Sequence, residues 1–129
     1  MSPYTQARRA YHESAVLTAS PGQLVVMLYD GAIRSLRQSA DAMRRGERER
    51  SRNGMRTAEA IIDELNNSLD MRQGEIPSRL RSIYFYCKRL LIQANAQTDA
   101  ESIDMVVKLL GELREAWSQI LESPELKSA

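Results

Sequence analysis

Few residues in this chain could do chemistry, and their spacing limits each of them. The single histidine, His12, precedes Glu13 near the N-terminus and has no second imidazole to join it. A carboxylate-bridged metal pair in a helical protein needs Glu-x-x-His on two helices, and a four-ligand zinc site needs several Cys or His. One His and one Cys meet neither requirement. Cys87 follows Ile83-Tyr84-Phe85-Tyr86 on an apolar helical stripe, with no His near it in sequence to take its proton. It reads as a small packing residue. Acid pairs such as Asp63-Glu64 and Glu112 with Glu115 read as solvated helix faces. No glycine-rich phosphate loop and no Gly-x-Ser-x-Gly occurs. The expectation is a protein that is not an enzyme and holds neither metal nor cofactor.

The strongest charge feature is Arg44-Arg45-Gly46-Glu47-Arg48-Glu49-Arg50-Ser51-Arg52, with Arg56 just beyond. Residues 44–56 hold six Arg against two Glu. A nucleic-acid patch is the functional reading. Against it, the run straddles a helix connection, contains acids and lacks an aromatic for base stacking, so a solvated loop is the default and nucleic acid is not expected as a partner. Elsewhere charge is segregated. Residues 1–56 carry ten Arg against five acids, and residues 57–129 carry eight basic residues against twelve acids. Folded antiparallel about Gln97, Arg79 and Arg81 would come level with Glu112 and Glu115.

These residues must be positioned by helices. Ser20-Pro21-Gly22-Gln23 has Ser at the N-cap, Pro at the first helical position and Gln at the third, a capping box. The helix it opens should run over about 20–45, stopped by Gly46. A second follows over 47–71, with Asn53-Gly54 as a possible turn inside it. A third covers 77–96, with Pro77 in its first turn. Thr98-Asp99-Ala100-Glu101 reads as another capping box for a fourth helix over 99–122. Apolar residues step by three and four along each, as in Met55, Ala58, Ile62, Leu65 and Leu69. The fold class is all-α, an antiparallel four-helix bundle with a short, loosely docked N-terminal helix or arm over 1–19 and a tail over 124–129. In the arm Tyr4, Ala7 and Tyr11 share a face; such a segment either packs plainly or covers an apolar groove that a ligand could claim. Gly31 and Gly111, inside helices, suggest close helix approach or a functional bend.

With 129 residues, 43% hydrophobic, 27% charged and a net charge of +1, the chain suits one domain with a real core. The longest apolar run, Leu24 to Tyr29, is far short of a membrane span, so no insertion is expected. The N-terminal residues lack the apolar core of a signal peptide, which points to the cytoplasm. Residues 24–43 nevertheless hold twelve apolar residues of twenty, and 76–96 twelve of twenty-one. A core-facing bundle helix needs roughly three in seven. The surplus calls for a more central position, a fifth short helix, or outer grooves awaiting a partner's helix.

Thr18-Ala19-Ser20-Pro21-Gly22-Gln23-Leu24 with Met27-Leu28-Tyr29-Asp30-Gly31-Ala32-Ile33 resembles the signature of the flagellar secretion chaperone FliS family. The likeness continues through Ala60-Ile61-Ile62-Asp63-Glu64-Leu65, Gly74-Glu75-Ile76, Ala94-Asn95 and Leu113-Arg114-Glu115-Ala116-Trp117, covering about residues 4–121. Ile83-Tyr84-Phe85-Tyr86 stands where the family commonly has Leu-Tyr-Asp-Tyr. The resemblance implies a cytoplasmic export chaperone that binds the C-terminal segment of flagellin and prevents premature polymerisation. An export-gate component or an anti-sigma factor is the alternative partner. The groove would be formed by Val26, Tyr29, Ile33, Leu36, Tyr84, Leu91, Asn95, Val107 and Leu110. Tyr4 and Tyr11, which match the family's arm, would cover it in the free protein.

Overall fold

Ser20 opens the first helix as its spacing to Gln23 predicts. Its hydroxyl accepts from the Gln23 backbone N at 3.2 Å, and the Gln23 side-chain oxygen accepts from the Ser20 backbone N at 2.8 Å. The computed structural model describes residues 19–122, and in them the chain forms α1 (Pro21–Arg44), α2 (Arg48–Asn67), α3 (Glu75–Gln97) and α4 (Ala100–Glu122). Residues 1–18 and 123–129, with Tyr4 and Tyr11, lie outside the described residues.

Each connection follows from local chemistry. After α1, Gly46 takes a left-handed φ of 77° and the Glu47 N–H reaches back to the Ala42 carbonyl at 2.9 Å. The Asn53-Gly54 pair stays helical. Helix α2 stops four residues earlier than its apolar spacing suggests, because side chains offer the backbone other partners. The Ser68 hydroxyl donates to the Leu65 carbonyl at 2.8 Å, and the Asp70 carboxylate accepts from the Arg72 backbone N at 3.1 Å. Helix α3 then begins at Glu75, so Pro77 occupies the first turn, where its missing N–H costs nothing. At its other end Thr98 takes the left-handed conformation, φ 53°, and terminates α3. The cap of α4 is therefore Asp99 rather than Thr98: its carboxylate accepts from the Glu101 backbone N at 3.1 Å and the Ser102 hydroxyl at 2.9 Å.

Consecutive helices are neighbours, and α4 closes the ring against α1. Cross-links fix the antiparallel register. Arg44 near the end of α1 pairs with Asp104 near the start of α4, while Asp30 pairs with Arg114 at 2.9 Å. Lys88 of α3 bonds Asp63 of α2 at 2.6 Å. The anticipated match of Arg79 and Arg81 with Glu112 and Glu115 does not form. Arg79 bonds Glu75 one turn away, Arg81 lies over the Phe85 ring at 5.3 Å, and Glu115 bonds Arg114. Nearer partners win.

Helix spacing is uneven. Helix α1 packs tightly along α2 and α4, whereas α3 stands further from both its neighbours. At the α1–α2 crossing the buried Ser39 hydroxyl lies 2.6 Å from the Ser51 carbonyl and 3.2 Å from the Ser51 hydroxyl. Gly54 completes the contact: a Cβ there would meet the Ser35 carbonyl oxygen at 2.8 Å and Ser39 Cβ at 2.9 Å. Large side chains from all four helices, including Leu36, Ile62, Leu91, Ile103 and Leu110, fill the centre with no exposure above 1%. The surplus of apolar residues in α1 goes largely to its central position, flanked by two close neighbours.

A Cβ at Gly111 would meet nothing within 4 Å beyond its own helix backbone, so close helix approach does not explain it, while one at Gly31 would meet Ile61 at 3.4 Å and Arg34 at 3.9 Å, ordinary contacts. Two glycines on helices should then respond oppositely to alanine. Gly54→Ala should destabilise by about 1–3 kcal/mol through overpacking against backbone. Gly111→Ala should stabilise by up to about 1 kcal/mol through helix propensity. Urea denaturation midpoints of both variants check the pair.

Candidate partner-binding surfaces

The residues that sequence spacing assigns to a groove lie at different depths. Tyr29, Leu36, Leu91 and Leu110 are fully buried and Ile33 is 8% exposed, so they pack the core and offer no surface to a partner in this conformation. A helix apolar nearly all round does not announce which stripe faces inward; the stripe with most neighbours wins. Val26 and Val107 are half-buried and Asn95 is exposed. Tyr84 is 2% exposed, and that remainder reaches the floor of a cavity.

This cavity, of about 480 Å³, sits at the end of the bundle where α1 begins, α2 ends, α3 begins and α4 ends. Val25 of α1, Leu65 and Leu69 of α2 and its connection, Pro77 and Leu80 of α3, and Trp117 of α4 make apolar walls. The seven-residue connection from Ser68 to Gly74, turned by Asp70, supplies Ser68, Leu69, Asp70 and Gln73 to its lining. The rim is polar, with Ser68, Asp70 and Gln73. Hydrogen bonds from the Arg72 side chain and backbone hold the Asp70 carboxyl below its usual range. Ile76, 71% exposed, is part of this lining, and Met71, next to Asp70 in the connection, is 46% exposed. Sequence reasoning missed Val25, Leu69 and Leu80. Their signal was an apolar pattern running into the breaker-rich stretch Asp70 to Gly74.

Beneath the cavity the Tyr29 and Tyr84 hydroxyls meet at 2.6 Å, joining α1 to α3 across the bundle. Burial raises the pKa of both phenols; the shared hydrogen bond adds to this for Tyr84 and partly offsets it for Tyr29. Cys87, fully buried below, has its thiol pushed up to about 11 by burial. A thiol held in that state is a packing group, not a nucleophile. A second cavity, about 390 Å³, lies on the α1–α4 flank and is lined by Val26, Met27, Ser118 and Leu121. Pro21 and Gln23 thus border one cavity each, so the first turn of α1 lies beside both.

The arginines of 44–56 do not form one patch. Arg44 bonds Asp104 and Arg50 bonds Glu47 at 3.1 Å. Arg45 and Arg50 border the α1–α2 side with Asp41 and Glu47, while Arg48, Arg52 and Arg56 run down α2 towards α3. Among the described residues no group of three or more His, Cys, Asp or Glu could hold a metal ion, and no helix is long and apolar enough to cross a membrane.

Comparison with known proteins gives a consistent family. Residues 4–124 match the family model described as flagellar protein FliS. The flagellar secretion chaperone FliS of Bacillus subtilis (strain 168) is 35% identical over 95% of this chain and 88% of its own length. That of Salmonella typhimurium (strain LT2) is 41% identical over 84% of this chain and 82% of its own. A crystal structure of a flagellar chaperone from bacteria superposes with a TM-score of 0.74, covering 93% of this chain and 98% of that one at 19% identity, so the two share a fold.

The buried hydroxyl pair and thiol have measurable consequences. Tyr84→Phe should cost about 1–3 kcal/mol by orphaning the Tyr29 hydroxyl, and Tyr29→Phe with Tyr84→Phe should cost less than the two single changes combined. A double-mutant cycle in urea measures the coupling. All three groups are neutral when protonated and have raised folded-state pKa values. Their contribution is therefore fully present below the unfolded pKa and lost as pH rises. Stability should fall first as pH rises from 9.0 to about 11 through Cys87. The tyrosines add to the fall above 10.0. The urea midpoint should drop across this range, less steeply at its lower end in Cys87→Ala.

Proposed function

The chain belongs to the flagellar protein FliS family, whose members are chaperones and not enzymes, and from that premise we propose that it holds the C-terminal segment of flagellin in the cytoplasm. Covered in this way, the segment is kept from premature polymerisation and remains competent for export. The observation that carries this reading is the apolar cavity of about 480 Å³ at the end of the bundle, walled by Val25, Leu69, Leu80 and Trp117. A helical segment laid along such a surface inserts an aliphatic or aromatic anchor, and neighbouring turns rest on the exposed Ile76 and Met71. The flank cavity at Val26 and Met27 supplies a second resting place for a segment that wraps around α1. Val107 lies further along the same helix pair as that second cavity.

Binding of this type orders the ligand at an entropic cost that a large wrapped surface offsets. The arm over residues 1–18 has a role here too. Its tyrosines, Tyr4 and Tyr11, give it apolar side chains of a size that suits these cavities, and its point of attachment lies beside both of them. In this reading the arm covers the cavities in the free protein and yields to flagellin.

A peptide spanning the flagellin C-terminal segment should bind the full chain one to one by calorimetry. Burying one aliphatic anchor contributes about 1.5–3 kcal/mol, so Leu69→Glu or Leu80→Glu should weaken binding at least tenfold while circular dichroism stays helical. Removing residues 1–18 should tighten binding. No heat and no co-elution at micromolar concentration would sink the proposal, as would full affinity in both glutamate variants.

A further inference from the structure

The geometry points to a second docking site, for an acidic amphipathic helix, in the groove between α2 and α3 at the end of the bundle opposite the apolar cavity. Arg48, Arg52 and Arg56 stand at i, i+4 and i+8 along α2, one stripe of a helix. Among the described residues none of the three enters an ion pair. Two cavities run along the stripe. One, of about 360 Å³, is bordered by Arg48, Arg52 and Asn95, and the next, of about 160 Å³, by Arg52, Arg56, Glu59 and Asn95. Arg52 and Asn95 are shared, so the two are one groove with α2 and α3 as its sides.

The α3 side supplies an apolar anchor point. Lys88, Ile92 and Asn95 are spaced as one stripe, with Lys88 bonded across to Asp63 and Asn95 in the groove wall. Ile92, between them in this spacing and 65% exposed, offers apolar surface beside the groove. The Asp63–Lys88 pair closes the groove towards the apolar cavity. From Arg48 to Glu59 the groove is about 17 Å long at 1.5 Å per residue, or roughly three helical turns.

Charge decides the occupant. Glu59 is the one acid bordering these two cavities. The C-terminal carbonyls of α3 add only about half a negative charge. Three arginines therefore leave the groove positive. A helix with carboxylates at i, i+4 and i+8, and a leucine on the adjoining stripe over Ile92, satisfies both features at once. A nucleic-acid backbone would satisfy the arginines but set phosphates against Ile92 and Glu59.

The test uses the full chain and a fluorescein-labelled peptide about four turns long, carrying glutamates at i, i+4 and i+8 beside two leucines. Anisotropy at low salt should show saturable one-to-one binding that weakens as salt rises. Arg52→Glu with Arg56→Glu should weaken it at least tenfold, Arg52→Ala with Arg56→Ala less so, and Ile92→Asp should also weaken it. A matching peptide with lysines for glutamates should prefer the charge-reversed variant. Affinity for the flagellin segment should be unchanged throughout, which separates this site from the apolar cavity. The proposal is overturned if the acidic peptide does not bind, or binds the reversed variant equally. It also falls if a DNA duplex binds through the same arginines more tightly than the peptide. Loss of self-association in the reversed variant, seen by sedimentation without peptide, would assign the groove to a second copy instead.

Discussion

The close crossing of α1 and α2 sets the rest of the bundle. Ser35, Ser39, Ser51 and Gly54 put almost no side-chain volume between the two backbones, so the helices meet at backbone and hydroxyl distance. A buried hydroxyl is expensive unless it has a partner, and Ser39 finds the Ser51 carbonyl only when the axes are this close. With α4 also close to α1, the first helix becomes the spine. Helix α3 cannot approach in the same way, because Tyr84 and Leu91 occupy the space between it and its neighbours. Unequal spacing is what leaves room on both sides of α3, the apolar cavity at one end and the arginine-lined groove at the other.

The Tyr29–Tyr84 hydrogen bond holds this uneven arrangement together. It spans the bundle between two helices that do not otherwise pack closely, and it does so at the base of the cavity. Two phenols that satisfy each other allow large aromatic side chains to be buried without an orphaned hydroxyl. Tyr84 also lines the cavity, so the pair lies at its base.

Much of this was legible from residue order, and the exceptions have physical causes. The Ser20–Gln23 cap and the three-and-four apolar spacing are local properties, so they read directly. The end of α2 did not, because Asp70 and Ser68 compete for backbone groups at a place where the apolar pattern continues through Leu69. Thr98 gave way to Asp99 as a cap because it was needed in a left-handed turn to end α3. Charge pairing was misread where a partner one turn away, such as Glu75 for Arg79, is nearer than one on another helix. Groove residues such as Leu36 and Leu110 were the hardest: in a helix apolar on most sides, only the positions of three neighbours decide what is core. Tyr4 and Tyr11 lie outside the described residues.

Helix α3 is a wall of both the cavity and the groove, and it is the helix held least tightly by its neighbours. A ligand that favoured one position of α3 over another would alter binding at the other end, and by linkage the coupling would be equal in both directions. A rigid rod about 35 Å long, at 1.5 Å for each of its 23 residues, would carry such a bias from end to end as a lever does. Occupants of the two surfaces would then be linked through this one helix, because it borders both.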